Sequence, residues 1–128
     1  MRLSDLEAFF VRREVRACAG PGSGCSTTSP HSSHEYHYPT ETIADADGVY
    51  FLCPKCFAEN GGPIGTHSVI CWRPRMPAEV LPGPGRWEFV GTGLGDLTLR
   101  AGSSSVALRG GCAAHFFVEQ GAIRMCAG

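Results

Sequence analysis

Two short cysteine motifs constrain this chain more than any other feature. Cys53 and Cys56 are separated by two residues, and the same spacing returns near the end of the chain between Cys112 and His115. A tight turn aims two ligands at one point, and a second turn from elsewhere completes the tetrahedron that a zinc site requires. The spacing therefore predicts one structural Zn²⁺ ion, bound by these four residues, that ties the middle of the chain to its C-terminal hairpin.

Two other uses of these ligands stay open. A redox dithiol would need only Cys53 and Cys56, but such pairs stand at the start of a helix, and the sequence FAENGG that follows is a poor helix former. An iron–sulfur cluster accepts the same ligand types, but Rieske centres, in which histidine binds the iron, use a different spacing. Because a closed set of thiolate and imidazole ligands suits structural zinc, we predict zinc as the cofactor.

His67 lies between the two motifs and has three interpretations. It is a further ligand of the metal, a hydrogen-bond partner of a ligand, or a hydrogen-bonded histidine of the core, and we expect the last. On one strand His67 and Cys71 would lie about 13 Å apart, too far to share an ion. The isolated Cys18, Cys71 and Cys126 are expected to be buried as small apolar residues.

Composition argues against several classes of protein. With 11 basic and 12 acidic side chains, the chain lacks the charge signature of a protein that binds nucleic acid or an anionic membrane. No apolar run reaches the roughly 18 residues of a membrane span, and the charged N-terminus does not fit a signal peptide. We therefore expect a soluble protein of a reducing cytosol, in which seven cysteines serve metal or thiol chemistry.

The N-terminal segment carries a helical pattern. Ser4 and Glu7 form a capping box, and three apolar residues follow with helical spacing: Leu6, Phe9 and Phe10. We predict a helix from Ser4 to Ala17 within an N-terminal region 1–18. A loop or linker rich in Gly, Ser and Pro then covers 19–44.

The remaining region, 45–128, is predicted to be the zinc-binding β domain. Short apolar or alternating runs separated by Gly and Pro are typical of strands. Seven are expected: 48–53, 66–73, 86–91, 96–100, 105–110, 115–119 and 122–126. The fold class is therefore mainly β, a small α+β domain with one N-terminal helix and a single sheet or sandwich clipped by zinc.

Three blocks of sequence carry a family resemblance: FLCPKCFAENGGPIGTHSVICW, PGPGRWEFVGTGLGDLTL and GGCAAHFFVEQGAI. Together they resemble a small family of bacteriophage and prophage proteins of unknown function, some labelled ammonia monooxygenase. The resemblance covers roughly residues 45–125. It implies a phage or prophage origin and metal ligation by Cys53, Cys56, Cys112 and His115, and it implies no activity. The sequence has neither a copper-enzyme ligand set nor membrane spans.

We expect a non-catalytic, zinc-stabilised module that binds another protein, either a host factor or a component of the phage particle. Such a protein would act in the cytoplasm of the host bacterium or in the virion. Aromatic side chains dominate interface energetics. The candidate anchors are Trp72, Trp87, Phe116 and Phe117. The oligomeric state stays open.

Two other functions compete with this one. In a zinc hydrolase, one of the four ligands would leave a position open for water, and Glu59, Glu88 or Asp96 would act as the base. In a module for single-stranded nucleic acid, aromatic side chains would stack on bases, although the charge balance argues against it.

The segment before residue 40 holds further candidate ligands. A second metal site would combine two cysteines with three histidines: Cys18, Cys25, His31, His34 and His37. Because the histidines stand in a polar segment, a solvated surface loop is the simpler expectation.

Overall fold

The computed structural model of the chain describes residues 1–17, 33–82, 85–100, 105–108 and 112–126. Cys18, Cys25, His31 and most of the predicted linker lie outside these ranges. Within them the protein is mainly β, as the sequence predicts. The strands are β1 Phe9–Ala17, β2 Ser33–Thr40, β3 Gly48–Leu52, β4 Ser68–Trp72, β5 Glu88–Val90, β6 Thr98–Arg100, β7 Ser105–Ala107, β8 His115–Glu119 and β9 Ala122–Met125. All seven predicted strands are confirmed.

The predicted N-terminal helix is wrong. Only Leu3–Leu6 forms a short 3₁₀ helix, Glu7 adopts a left-handed conformation with φ 54°, and the chain then continues as β1. Neighbouring residues of β1 face opposite sides of the sheet: Phe10 enters the main core, whereas Val11 packs against Trp72. An extended strand buries both side chains, and its aromatic and β-branched residues favour that conformation.

The one α-helix of the described residues, α1, spans Pro54–Asn60, directly after β3. Proline at the first helical position needs no hydrogen-bond partner for its nitrogen, which suits a helix start. Gly61, with φ 68°, ends the helix by donating its N–H to the carbonyl of Ala58. None of the helices in these residues has the length and apolar character of a membrane span.

The largest sheet contains four antiparallel strands in the order β2-β1-β3-β4. β1 and β2 pair along 10–17 and 33–40, but only residues 9–11 of β1 also pair with β3. β5 and β6 form a small second sheet, and β7-β8-β9 form a third. The turn between β8 and β9 is the predicted hairpin, with Gln120 and Gly121 both at positive φ.

The main core lies between the four-stranded sheet and the other two sheets. Phe51 of β3 meets Phe116 of β8 edge to face, with ring centroids 5.9 Å apart. The 3₁₀ helix adds Leu3 and Leu6, both fully buried. The other buried apolar side chains of this core include Phe10, Val49, Val69, Leu97, Leu99, Val106 and Val118. Contact between the sheets places the β7–β8 connection beside the start of α1.

A second apolar group lies on the opposite face of the four-stranded sheet. This Trp72 cluster consists of buried Val11, Trp72 and Val80, with Tyr50, Ile70 and Met76 packed against it. The Trp72 indole donates a hydrogen bond of 2.9 Å to the carbonyl of Leu81. The Arg86 guanidinium donates to the carbonyls of Met76, Pro77, Val80, Pro82 and Gly85. These bonds hold the proline-rich segment 73–82 over the cluster.

Candidate metal centre

Three cysteines and one histidine meet beside the N-terminus of α1. The ligand atoms of Cys53, Cys56, His67 and Cys112 all lie within 4.8 Å of one another. No other group of this kind forms among the residues that the structure describes. We call these four residues the Cys3His cluster, and it can hold a metal ion.

The first two cysteines are placed by the junction of β3 and α1. Cys53 follows the last residue of β3 and caps α1, and its carbonyl accepts the N–H of Phe57 at 2.9 Å. Cys56 lies one turn later, so both thiols project from the start of the helix toward the same point. Cys53 is fully buried and Cys56 is half-buried.

His67 is placed by the pairing of β3 with β4. Leu52 pairs with Ser68, and the next rung brings the Cys53 N–H to the His67 carbonyl at 2.9 Å. The imidazole Nε2 lies 3.4 Å from the Cys112 Sγ, while Nδ1 lies 3.3 Å from the Ser68 carbonyl. An N–H at Nδ1 that donates to a carbonyl leaves Nε2 free to bind a metal. The side chain is exposed, so the expectation of a core histidine is wrong.

Cys112 comes from the connection between β7 and β8 in the third sheet. Lys55, between the two cysteines of α1, donates from its Nζ to the Cys112 carbonyl at 2.6 Å. Ala113 follows in a left-handed conformation with φ 51°, and the chain turns there into β8. The cluster therefore joins segments that lie 59 residues apart in sequence.

His115, the fourth ligand expected from the sequence, lies outside the cluster. Ala114 is buried in the main core, and side chains alternate along an extended segment. His115 is therefore exposed at the start of β8, where its ring lies 6.5 Å from that of Phe117. The turn at Ala113 separates the side-chain directions of Cys112 and His115, and His67 takes the fourth position.

The separations within the cluster fit a tetrahedral metal. Zinc–sulfur bonds of about 2.3 Å and zinc–nitrogen bonds of about 2.0 to 2.1 Å place two sulfurs about 3.8 Å apart, and sulfur and nitrogen about 3.6 Å apart. Cys53 Sγ and Cys112 Sγ are 3.6 Å apart, and His67 Nε2 and Cys112 Sγ are 3.4 Å apart. All five cysteines of the described residues are free thiols.

The thiols of the cluster differ in their acidity. The hydrogen bond from His67 lowers the pKa of Cys112 to about 7, and the same contact raises the pKa of His67. Removal from solvent raises the pKa of Cys53 and that of Cys56. Cys71, fully buried in the main core, also has a raised pKa because of burial. One thiol of the cluster is thus readily ionised, beside an imidazole.

Cys53 and Cys56 stand at the start of a helix, so the expectation that no helix follows Cys53 is wrong. A different observation argues against their use as a redox dithiol. The attacking cysteine of such a motif is accessible and has a lowered pKa, whereas Cys53 is fully buried and its pKa is raised. The presence of His67 and Cys112 also gives the motif two further ligands.

Two of the predicted partner anchors belong to the interior. Trp72 and Phe116 are fully buried, in the Trp72 cluster and in the main core. Trp87 is half-buried and donates from its indole to the Ser105 carbonyl at 3.3 Å. Phe117 is half-buried under the Arg124 guanidinium, which lies 4.4 Å from the ring centroid. Trp87 and Phe117 alone keep partly accessible rings.

The carboxylates considered as a catalytic base do not join the cluster. Asp96 accepts hydrogen bonds from the backbone N–H groups of Thr92 and Gly93, as expected for a turn, and these bonds lower its pKa. Glu88 lies on β5 and Glu59 on the exposed side of α1. No carboxylate of the described residues belongs to the group of ligand atoms.

The predicted second metal site falls mostly outside the described residues. Its histidines at 34 and 37 lie on β2, a strand where a solvated loop was expected. The His37 imidazole contacts the Glu35 carboxylate at 2.8 Å and meets the ring of Trp72 edge to face. Glu35 and His37 therefore have structural partners of their own.

Comparison with protein-family models, with curated proteins and with solved structures finds no match. The resemblance to a phage family stays a prediction. The class of the protein is defined by its own geometry, as a small, mainly β protein with a Cys3His cluster.

Proposed function

We propose that the protein is a non-catalytic module of phage type, stabilised by one structural Zn²⁺ ion, that acts by binding another protein. One observation carries the metal part of this proposal: four side-chain donors from three separate segments lie within 4.8 Å of one another. The ligands would be Cys53, Cys56, His67 and Cys112.

Zinc is the ion that this donor set favours. Thiolate and imidazole donors in a compact four-membered set are typical of zinc, whereas magnesium and calcium require oxygen ligands. Iron–sulfur clusters use cysteines too, but a cluster of several atoms needs more room than sulfurs 3.6 Å apart provide. A single tetrahedral ion fits this spacing.

A structural role follows from the number of donors. A catalytic zinc site keeps one position for water or substrate. Here four protein donors are already grouped, and no described carboxylate stands among them to act as a base. These two observations favour a structural site over the hydrolase.

The ion would join two of the sheets. Cys53, Cys56 and His67 belong to the β3–α1–β4 unit of the four-stranded sheet, and Cys112 belongs to the third sheet. Zinc binding to such sites in small peptides contributes about 10 to 16 kcal/mol at pH 7, and this free energy becomes folding free energy. The metal would therefore fix the position of the β7–β8 connection.

A protein-binding role is supported by the loop that this metal would hold. Residues 61–67 connect α1 to His67, and Thr66 closes the loop by bonding to the carbonyls of Gly62 and Pro63. Ile64 at its tip is 90% exposed. This loop leaves the side chain accessible, and a partner that bound there would remove its apolar surface from water. The phage origin is supported by the three resembling sequence blocks alone.

Metal content of the purified protein tests this proposal. We expect one zinc per chain in protein prepared without added metal, and loss of that zinc in Cys53→Ser and His67→Ala. His115→Ala is the matched control, because this exposed histidine lies outside the cluster. It should keep the zinc.

The same variants separate the competing outcomes. Zinc retained by His67→Ala but lost by His115→Ala would restore the ligand set expected from the sequence. Iron with visible colour, or no metal at all, would overturn the zinc assignment. Substitution with Co²⁺ adds a spectroscopic check, since thiolate-to-metal charge-transfer bands appear only when the cysteines bind the ion.

A further inference from the structure

A shallow depression on the surface lies away from the Cys3His cluster. It has a volume of about 410 Å³. Its lining consists of Arg73, Pro74, Arg75, Glu88, Phe89 and Val90. The two segments that line it, 73–75 and 88–90, are joined just before it by the hydrogen bond from the Trp87 N–H to the Trp72 carbonyl, at 3.0 Å. The depression therefore has a wall of polar and charged groups and a wall that includes an aromatic ring.

Two arginines in this lining are held in place by the protein. The Arg73 guanidinium lies 4.8 Å from the centroid of the Phe89 ring, and its Nη2 donates to the Ile43 carbonyl at 2.6 Å. The Arg75 guanidinium pairs with Asp47 and donates to the Ala46 carbonyl at 2.6 Å. Because both side chains are already ordered, little conformational entropy would be lost when they bind a ligand.

Arg73 differs from Arg75 because it has no ion-pair partner among the described residues. Its Nε–H is buried and has no hydrogen-bond acceptor among these residues. This Nε has almost no accessible surface, so a ligand in the depression would meet the other guanidinium nitrogens. Burial and the nearby charge of Arg75 lower the pKa of Arg73, whereas the charge of Asp47 raises it.

From the ordered guanidinium of Arg73, which has no ion-pair partner among the described residues, and from the depression it lines, we propose a binding site for a carboxylate group carried by a protein partner. Planar guanidinium groups bind carboxylates through paired, charge-assisted hydrogen bonds. The exposed Val90 and Pro74 supply apolar surface beside the charge. This inference deepens the proposed function, on which it rests for the nature of the partner, since it names the chemistry that the partner presents.

The charges of the lining favour a carboxylate over a phosphate. Asp47 already neutralises Arg75, and Glu88 adds a second negative charge at the rim. One monoanion is enough to pair with Arg73, whereas the second charge of a phosphate would find no further unpaired arginine in the lining, because Asp47 already pairs with Arg75. Glu88 can instead accept an N–H group from a peptide. The site thus fits an acidic side chain or a chain terminus of a protein.

Titration with acetate, inorganic phosphate and chloride tests the site in the intact, metal-containing protein. Side-chain N–H signals of the arginines and ring signals of Phe89 would be followed by NMR at constant ionic strength. We expect a saturable shift of the Arg73, Arg75 and Phe89 signals with acetate, and at least a tenfold weaker response in Arg73→Gln. Arg124→Gln, an exposed residue of β9 outside the depression, is the matched control and should respond as the parent protein does.

Three other outcomes would overturn the proposed carboxylate site, each in a distinct way. Equal shifts at Arg124, an exposed residue of β9, would mean general ionic attraction. Tighter binding of phosphate than of acetate would assign a different ligand, and no response would remove the site. A protein that contains zinc but ignores acetate would contradict this inference alone. A protein that binds acetate but contains no zinc would contradict the metal part of the proposed function alone.

Discussion

The two ends of the four-stranded sheet are held together by different means. At the metal end, the Cys3His cluster gathers β3, α1, β4 and the β7–β8 connection around donor atoms, and His67 in it is exposed to solvent. At the other end, the Trp72 cluster is closed by apolar burial and by the carbonyl contacts of Arg86. Apolar burial acts without any ligand. If the proposed ion holds the metal end together, the two ends should respond differently to the same treatment.

Metal removal should separate the two ends most clearly. Chelation, or Cys112→Ser, should abolish hydrogen-exchange protection of the Cys53 and Phe57 amides, because structural zinc contributes up to about 10 to 16 kcal/mol. At low temperature the Trp72 indole N–H, bonded to the Leu81 carbonyl, should keep more of its protection. Hydrogen exchange followed by NMR, with and without chelator, measures both ends in one sample.

The control for this experiment is Cys126→Ser, a half-buried cysteine outside the cluster. It should leave both sets of amides as they are in the parent protein. If chelation changed no amide at the metal end, the ion would have no structural role there. If both ends lost protection together, the domain would unfold as one unit and the contrast between them would be wrong.

The next prediction concerns the other end of the sheet and removes Trp72, the fully buried indole of the Trp72 cluster. Trp72→Ala should lower the free energy of unfolding by about 3 to 5 kcal/mol, the range for large aromatic residues in cores. It should leave the zinc content at one per chain, because Trp72 lies outside the Cys3His cluster. Urea denaturation together with elemental analysis gives both quantities. Trp87→Ala is the matched control and should destabilise less, since Trp87 is only half-buried; equal losses would contradict the difference in burial.

A smaller effect is expected from Lys55, whose ammonium group holds the Cys112 carbonyl at 2.6 Å. Lys55→Met keeps the aliphatic chain but removes the donor and its positive charge beside three cysteine ligands. Residues that support metal ligands typically change affinity by about 10- to 100-fold. We expect a loss in this range, measured by competition with a chromophoric chelator. Glu59→Gln, on the exposed side of the same helix, should stay within twofold of the parent affinity, and equal effects of the two changes would remove the role of Lys55.

Local spacing predicted three of the four residues of the cluster, and pairing between strands decided the fourth. Cys53 and Cys56 are recognised from their motif, and Cys112 from its two-residue spacing to His115, although His115 itself lies outside the cluster. His67 joins them because Leu52 pairs with Ser68, which is a contact between distant parts of the chain. One signal was present in the sequence: Cys53 ends one predicted strand, 48–53, and His67 lies at the beginning of the next, 66–73. If the two strands form a hairpin, their ends meet.

The N-terminal segment shows the limit of periodicity as a guide to structure. Leu6, Phe9 and Phe10 fit a helical stripe, but the fold buries side chains on both faces of β1, one in the main core and one in the Trp72 cluster. An apolar run buried on both sides has no single period. Its partner strand β2 is polar and carries Pro39, so its sequence favours a loop, and only pairing with β1 makes it a strand.

The pairing of β2 with β1 leads to the prediction with the smallest expected effect on stability, at Glu35 on β2. Its carboxylate accepts hydrogen bonds from Arg13 and contacts His37, and these partners lower its pKa. Exposed ion pairs contribute about 0 to 1 kcal/mol. Glu35→Gln should therefore lower the free energy of unfolding by less than about 1 kcal/mol at pH 7. Glu35 lies outside the Cys3His cluster.

The sign of the pH dependence follows from the direction of the shift. A carboxyl whose pKa is lower in the folded state stabilises the fold above its unfolded pKa, about 4.3 for glutamate. This contribution disappears as pH falls through the lowered pKa. The difference in unfolding free energy between the parent protein and Glu35→Gln should then shrink toward zero with acidification, measured by urea denaturation at several pH values. Acid release of the metal affects both proteins equally and cancels in the difference. A difference that stayed constant across this range would mean that the ion pair does not stabilise the hairpin.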